Sequence, residues 1–317
     1  VSEATSRAEA PSELDGTQSG TSPRQWAARL GSNGVVRGVR TVLRPAGLRG
    51  TALEVAWIAT HLATYPFGVT AEKARPGEER YSLTDLPLVH RGLLITDVEA
   101  AGTPILLIHG LIDNRSIFAM LRRHLRHRGF DRIWTTNYQI WTSDVRIAAR
   151  RLADTVDAIR EQTGYERIHV VGHSMGGLVA RYYVQRLGGD AHVHTLVTLG
   201  TPHQGTRAAR LLPKGICRQL APTSDVVAEL AEPAPGCQTR FVSFYSDLDA
   251  LISPKRAARI EHPDLSARNV LVRGVGHMSL PIDRGIGREI ASTLAQLDSD
   301  GLTVTAGVTR LDPTHGP

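Results

Sequence analysis

Ser174 stands in the run Gly172-His173-Ser174-Met175-Gly176, followed by Gly177, between an apolar stretch and a helix-forming segment. A serine hydroxyl is a poor nucleophile until it is exposed, oriented and offered a base. A sharp strand-to-helix turn supplies the exposure. Gly172 and Gly176 let the chain turn tightly without side-chain clashes, and the helix N-terminus steadies developing negative charge. The chemistry this arrangement suits is attack on an acyl carbonyl, which generates an oxyanion that two backbone N–H groups must hold. The candidates are Met175, directly after the nucleophile, and Leu111, in His109-Gly110-Leu111 at the end of an earlier apolar run. His109 itself reads as a packed residue that shapes the loop.

The base is expected late in the chain. His277 lies in Gly274-Val275-Gly276-His277-Met278, past the apolar run Val270 to Val272 and before a final helix, where an exposed imidazole on a glycine-containing loop can swing over Ser174. Its rival, His262, sits in Glu261-His262-Pro263 with no strand leading into it. The orienting acid belongs between nucleophile and base, at the end of a strand over Phe241 to Tyr245. Two aspartates are available there. Asp249 is followed by Ile252 and Pro254 in a short loop that can carry it to the imidazole, whereas Asp247 suits a turn cap. The acid holds the histidine in the working tautomer and stabilises the imidazolium.

These groups need a scaffold that brings distant segments to one edge. Pro104 to His109 is a short continuous apolar run, as expected of a strand covered on both faces. A helix over Ser116 to Arg128 and a strand over Arg132 to Tyr138 follow. Val145, Ala149, Leu152, Val156 and Ile159 recur at spacings of three and four, which marks an amphipathic helix. Strands over Ile168 to Val171, Val193 to Leu199, Phe241 to Tyr245 and Val270 to Val272 alternate with helices over Met175 to Leu187 and Arg284 to Leu297. Such alternation predicts an α/β fold with a mainly parallel sheet and helices on both faces.

With these residues in view, the stretch from Pro104 to about Leu280 resembles the α/β-hydrolase superfamily, and within it bacterial triacylglycerol lipases and esterases. The order Ser174, Asp249, His277 is the order that fold uses, and Thr198 to Thr206 (Thr-Leu-Gly-Thr-Pro-His-Gln-Gly-Thr) is similar to a lipase segment in which His203 would be structural. The resemblance implies cleavage of a carboxylic ester with an apolar acyl chain, through an acyl-enzyme on Ser174, without cofactor or metal; calcium-ligand positions find no match. It also implies a cap or lid over the acyl pocket in the insertion at about 207–239, which holds both cysteines. A bridge between Cys217 and Cys237 would brace it, contributing about 3 kcal/mol; two reduced thiols are the alternative.

The 317-residue chain divides into a polar tail at 1–22, expected to be disordered, a basic and apolar extension at 23–86, the α/β-hydrolase domain at 87–298 and a C-terminal tail at 299–317, whose β-like stretch Leu302 to Val308 is left open. The net charge of +6 is carried almost wholly by arginine, the lysines being Lys73, Lys214 and Lys255. Arg24 to Arg49 contains six arginines and no acid among apolar residues, a mixture suited either to an anionic membrane surface or to an arm packed on the domain. Without a zinc-finger spacing, a recognition-module motif or an aromatic stacking cluster, the charge does not point to nucleic acid. The most apolar run, Ala52 to Val69, is interrupted by Glu54, His61 and Pro66, so a membrane span is not expected. No secretory signal is readable, and a cytoplasmic or membrane-associated location is favoured. Two other functions stay open: acyl transfer from the same intermediate to an alcohol, and a non-catalytic binding module on the same scaffold.

Overall fold

The computed structural model describes residues 102–111, 115–136, 144–211, 215–296 and 307–311. The polar tail at 1–22, the basic segment Arg24 to Arg49 and the rest of the N-terminal extension lie outside the described residues.

Among the described residues, seven strands form one sheet: β1 (Ile105–Ile108), β2 (Ile133–Thr136), β3 (Ile168–His173), β4 (Val193–Leu199), β5 (Arg240–Ser246), β6 (Ala267–Val272) and β7 (Gly307–Leu311). They are ordered β2-β1-β3-β4-β5-β6-β7, and every neighbouring pair runs parallel. The chain moves outward from β1 to β2 and returns to β3, so the winding reverses between β1 and β3. In parallel sheets, sites form at the C-terminal strand ends beside such a reversal.

The apolar runs of the sequence become strands buried on both faces. Leu106, Ile108, Val170, Leu196 and Phe241 point into one core with the helices α2 (Val145–Thr163) and α3 (Met175–Arg186). Ile105, Leu107, Val171, Val197 and Val242 point into the other, with α1 (Ala119–His127) and α6 (Arg284–Leu294). Within each strand, successive residues alternate between the two cores, the two-residue period of a pleated strand. In α2 the expected apolar stripe is the buried face. Asp144 caps its start by accepting from the Arg146 N–H at 2.6 Å, and Gly164 ends it at φ 76°.

Residues 307–311, in the C-terminal tail whose β-like stretch Leu302 to Val308 the sequence left open, pair in parallel with β6 as the edge strand. Strand β6 starts three residues before the expected Val270. Its polar residues are paired rather than exposed: Arg268 bonds Glu289 at 2.8 Å, and Asn269 both accepts from the Ile260 N–H and donates to the Ile260 carbonyl.

The insertion after β4 forms a 3-10 turn (Arg207–Leu211) and two short helices, α4 (Ile216–Gln219) and α5 (Asp225–Glu229). Ile216, Val226 and Leu230 are buried in the same core as α2 and α3, so these apolar groups do not form a lipid-facing surface. Polar contacts complete the attachment. Arg146 pairs with Asp225 at 2.8 Å and with Glu229, Tyr182 donates to Glu229 at 2.6 Å, and Gln219 bonds both the Val145 N–H and Asp144. A cavity of about 740 Å³ between this segment and the start of α2 is lined by charged groups including Asp144, Arg146, Arg218 and Asp225, a poor match to an acyl chain.

The bridge considered from the sequence is absent: Cys217 and Cys237 are both free. The Cys237 thiol instead donates to Asp190 at 3.3 Å, and burial together with the Asp190 charge pushes it up to about 12. Asp190 also accepts from the Gln238 and Thr239 N–H groups, so a carboxylate fixes the chain entering β5 where a disulfide was considered.

Candidate active site

Ser174 forms the turn between β3 and α3, with φ 53° and ψ −123°. Among the described residues it is the non-glycine residue with positive φ. Such a conformation is costly for a residue bearing a Cβ and persists where surrounding packing imposes it. Here the packing is visible in the glycines. A Cβ on Gly172 would lie 2.5 Å from the Gly177 Cα, one on Gly176 would collide with the Ile108 and His109 carbonyl oxygens, and one on Gly177 would collide with the Thr201 hydroxyl. The glycines flanking Ser174 thus serve close approach of backbones, and Gly176 presses the elbow against the end of β1. The Ser174 N–H donates to the Leu199 carbonyl at 2.8 Å, tying the elbow to β4.

Gly176→Ala is expected to destabilise the protein by about 1–3 kcal/mol, because backbone oxygens cannot yield as a flexible side chain would. The check is a urea midpoint that falls at an unchanged denaturant slope.

His277 follows β6, and its Nδ1 is 2.7 Å from Asp249 Oδ2. Both side chains are 2% exposed. The sequence suggested an exposed imidazole; instead Val275, Met278 and Leu280 draw the loop into the core shared with α1 and α6. Asp249 Oδ1 accepts from the N–H groups of Leu251 and Ile252 at 2.9 and 3.0 Å, so the acid also builds its own turn. Burial by itself would raise the Asp249 carboxyl. The charge and hydrogen bond of His277, the Ile252 N–H and nearby Lys255 outweigh it and hold the group below the usual carboxylate range.

Ser174, Asp249 and His277 follow the C-terminal ends of β3, β5 and β6. Gly200 (φ 56°), next to the residue whose carbonyl holds the Ser174 N–H, packs so closely that a Cβ there would be 3.0 Å from both Asp249 Oδ2 and His277 Nδ1. The ring of His173 lies 4.8 Å from that of His277, centroid to centroid.

The other sequence candidates separate by position. Asp247 accepts from the Gly274 N–H at 2.8 Å and shapes the turn after β6. His262 bonds the Glu232 carbonyl and the Asp264 N–H, and buried His203 pairs with Thr198 at 2.9 Å. His109 Nδ1 is 2.7 Å from the Gly110 carbonyl. Met175 is the first residue of α3, where geometry leaves the N–H without an intrahelical acceptor. Leu111 is half-buried at the end of the β1 loop and packs on the α2–α3 core.

Two residues of this region were not singled out by their sequence context. Thr201 is fully buried and donates to the Ser174 carbonyl at 2.9 Å. His173 bonds the main chain of His277, with 3.1 Å between its Nε2 and the carbonyl oxygen.

This sheet order and its flanking helices are those of the α/β-hydrolase fold. A family model described as the alpha/beta hydrolase fold matches residues 103–215. Among solved structures, the chain is similar to lipase B of Aspergillus fumigatus at 14% identity, covering 70% of this chain and 60% of that one with a TM-score of 0.54. It is also similar to the Bacillus licheniformis lipase BlEst2. The propeptide form gives 16% identity, 66% and 53% coverage and a TM-score of 0.53. The mature form gives 16% identity, 62% and 93% coverage and a TM-score of 0.51. The chain therefore spans between half and two thirds of the length of the Aspergillus lipase and of the propeptide form. Taken together, these matches show the α/β-hydrolase fold.

Proposed function

We propose that the protein is a serine hydrolase that cleaves carboxylic esters with an apolar acyl chain. The observation that carries this reading is the buried His277–Asp249 pair, 2.7 Å apart, at the same sheet edge as Ser174 in its strained turn. In this mechanism the Ser174 Oγ attacks the ester carbonyl carbon while Nε2 of His277 takes the hydroxyl proton. Asp249 keeps the other ring nitrogen protonated and stabilises the imidazolium. The oxyanion is held by the N–H groups of Met175 and Leu111. Collapse of the tetrahedral intermediate breaks the C–O bond to the alcohol, which leaves with the proton from His277. Water then attacks acyl-Ser174, with His277 again as base, and releases the acid. No part of this chemistry calls for a metal or a cofactor. The insertion at 207–239 borders the route to the site in this reading, and Arg24 to Arg49 is the candidate contact with an anionic membrane.

The reading is tested with a fluorophosphonate probe and chromogenic esters of increasing acyl length. Wild type should label and turn over, and Ser174→Ala should do neither. Wild type that stays unlabelled and inactive on every ester would leave a binding module as the better account. Ester as the main product at low alcohol concentration would turn the assignment to acyl transfer.

A further inference from the structure

His173 is completely buried on β3, immediately before the nucleophile. A histidine in that position is not explained by the turn, which needs only the glycines and Ser174. Its Nε2 faces the His277 carbonyl oxygen at 3.1 Å. A carbonyl only accepts, so Nε2 carries the hydrogen and the tautomer is fixed. The two rings also lie against each other, with centroids 4.8 Å apart at 46°.

The loop that carries His277 has other supports. The Gly274 N–H donates to Asp247 at 2.8 Å, Ser246 bonds the Val275 carbonyl, and the Leu280 N–H reaches the His277 carbonyl at 3.4 Å. The first two of these hold the loop to the end of β5, and the third closes a turn within it. The His173 bond runs from the loop directly to the strand that carries Ser174. One peptide link and one hydrogen bond therefore connect the nucleophile to the main chain of the base. Proton transfer depends on that separation, and a displacement of about 1 Å can cost about 100-fold in rate.

We infer that His173 is a positioning residue whose Nε2–H sets the distance and tilt of His277 relative to Ser174. The inference rests on the ester-hydrolase reading above. It assigns His173 no contact with substrate. Its removal should lower kcat and leave KM nearly unchanged, because the acyl and alcohol groups still bind as before.

The test compares His173→Phe, which keeps a ring but lacks a donor, with His173→Gln, whose amide nitrogen reaches about as far as an imidazole Nε2. Kinetics on a short-chain chromogenic ester and thermal melts are recorded for both and for wild type. His173→Phe should lose about 10–100-fold in kcat with KM within about 3-fold, and His173→Gln should recover at least about 10-fold of that loss at a similar melting temperature. If His173→Phe does not fold, His173→Asn takes its place, since its amide falls one methylene short and should be as slow. Equal kcat for the donor and non-donor variants would overturn the positioning role while leaving the hydrolase reading intact. A wild type that neither labels nor turns over would remove both.

Discussion

Ser174→Gly is expected to lose at least about 10⁴-fold in turnover and at the same time to melt at a higher temperature than wild type. The loss follows from the missing hydroxyl. The gain follows from φ 53° and ψ −123°, a conformation that glycine adopts without a Cβ clash. Relief of such strain contributes about 1–3 kcal/mol. Glycine's greater freedom in the unfolded chain opposes it by about 0.4–1 kcal/mol. The balance, on the order of 1 kcal/mol, corresponds to a rise of about 2–4 °C for a domain of this size. Ser174→Ala retains the Cβ and should lose activity without the rise. Calorimetric melts of the three proteins decide the matter, and equal melting temperatures for the alanine and glycine variants would show that the turn stores no strain.

Asp249→Asn should reduce turnover by about 10⁴-fold. The amide oxygen can still accept from the Leu251 and Ile252 N–H groups. Its NH2 group, however, would face His277 Nδ1, where wild type offers a carboxylate oxygen at 2.7 Å. Nδ1 must then become the acceptor, which moves the proton to Nε2 and blocks the nitrogen that should take the serine proton. The same substitution changes the acid limb of stability. The folded Asp249 carboxyl sits below its ordinary value. Its contribution is therefore present above the unfolded value of about 3.9 and disappears as pH falls through the lower folded value. Urea midpoints at neutral pH and at about pH 3 should fall more steeply in wild type than in Asp249→Asn. A parallel fall in both would mean that the His277 contact does not stabilise the ionised acid.

How much of this was legible in the sequence depends on what each feature needs. Strand β1 is covered on both faces and apolar throughout, and β3 and β4 keep adjacent apolar pairs at Val170–Val171 and Leu196–Val197 among their polar residues, so all three announce themselves. The elbow was legible because glycine is demanded on geometric grounds at Gly172 and Gly176. Strand β6 was only half visible, since Arg268 and Asn269 look like loop residues until Glu289 and the Ile260 backbone appear beside them. Asp247 and Asp249 could not be ranked firmly from spacing. They stand two residues apart past the end of β5, and the turn sends one to the Gly274 N–H and the other to His277. The fate of the thiols depended on where the chain brings Asp190, a residue far from either in sequence. His173 and Thr201 were hidden for a related reason: each acts through the backbone of another residue, and no motif spacing records a bond to a carbonyl.

Gly200 carries no functional group, yet its α-carbon occupies the narrow gap behind Asp249 and His277. Any activity-based screen of random variants would rank it with the chemical residues, because every replacement wedges the pair apart. Sequence tolerance at this position therefore reports the clearance behind the site rather than participation in the reaction, and maps of mutational sensitivity will place the machinery one shell wider than it is.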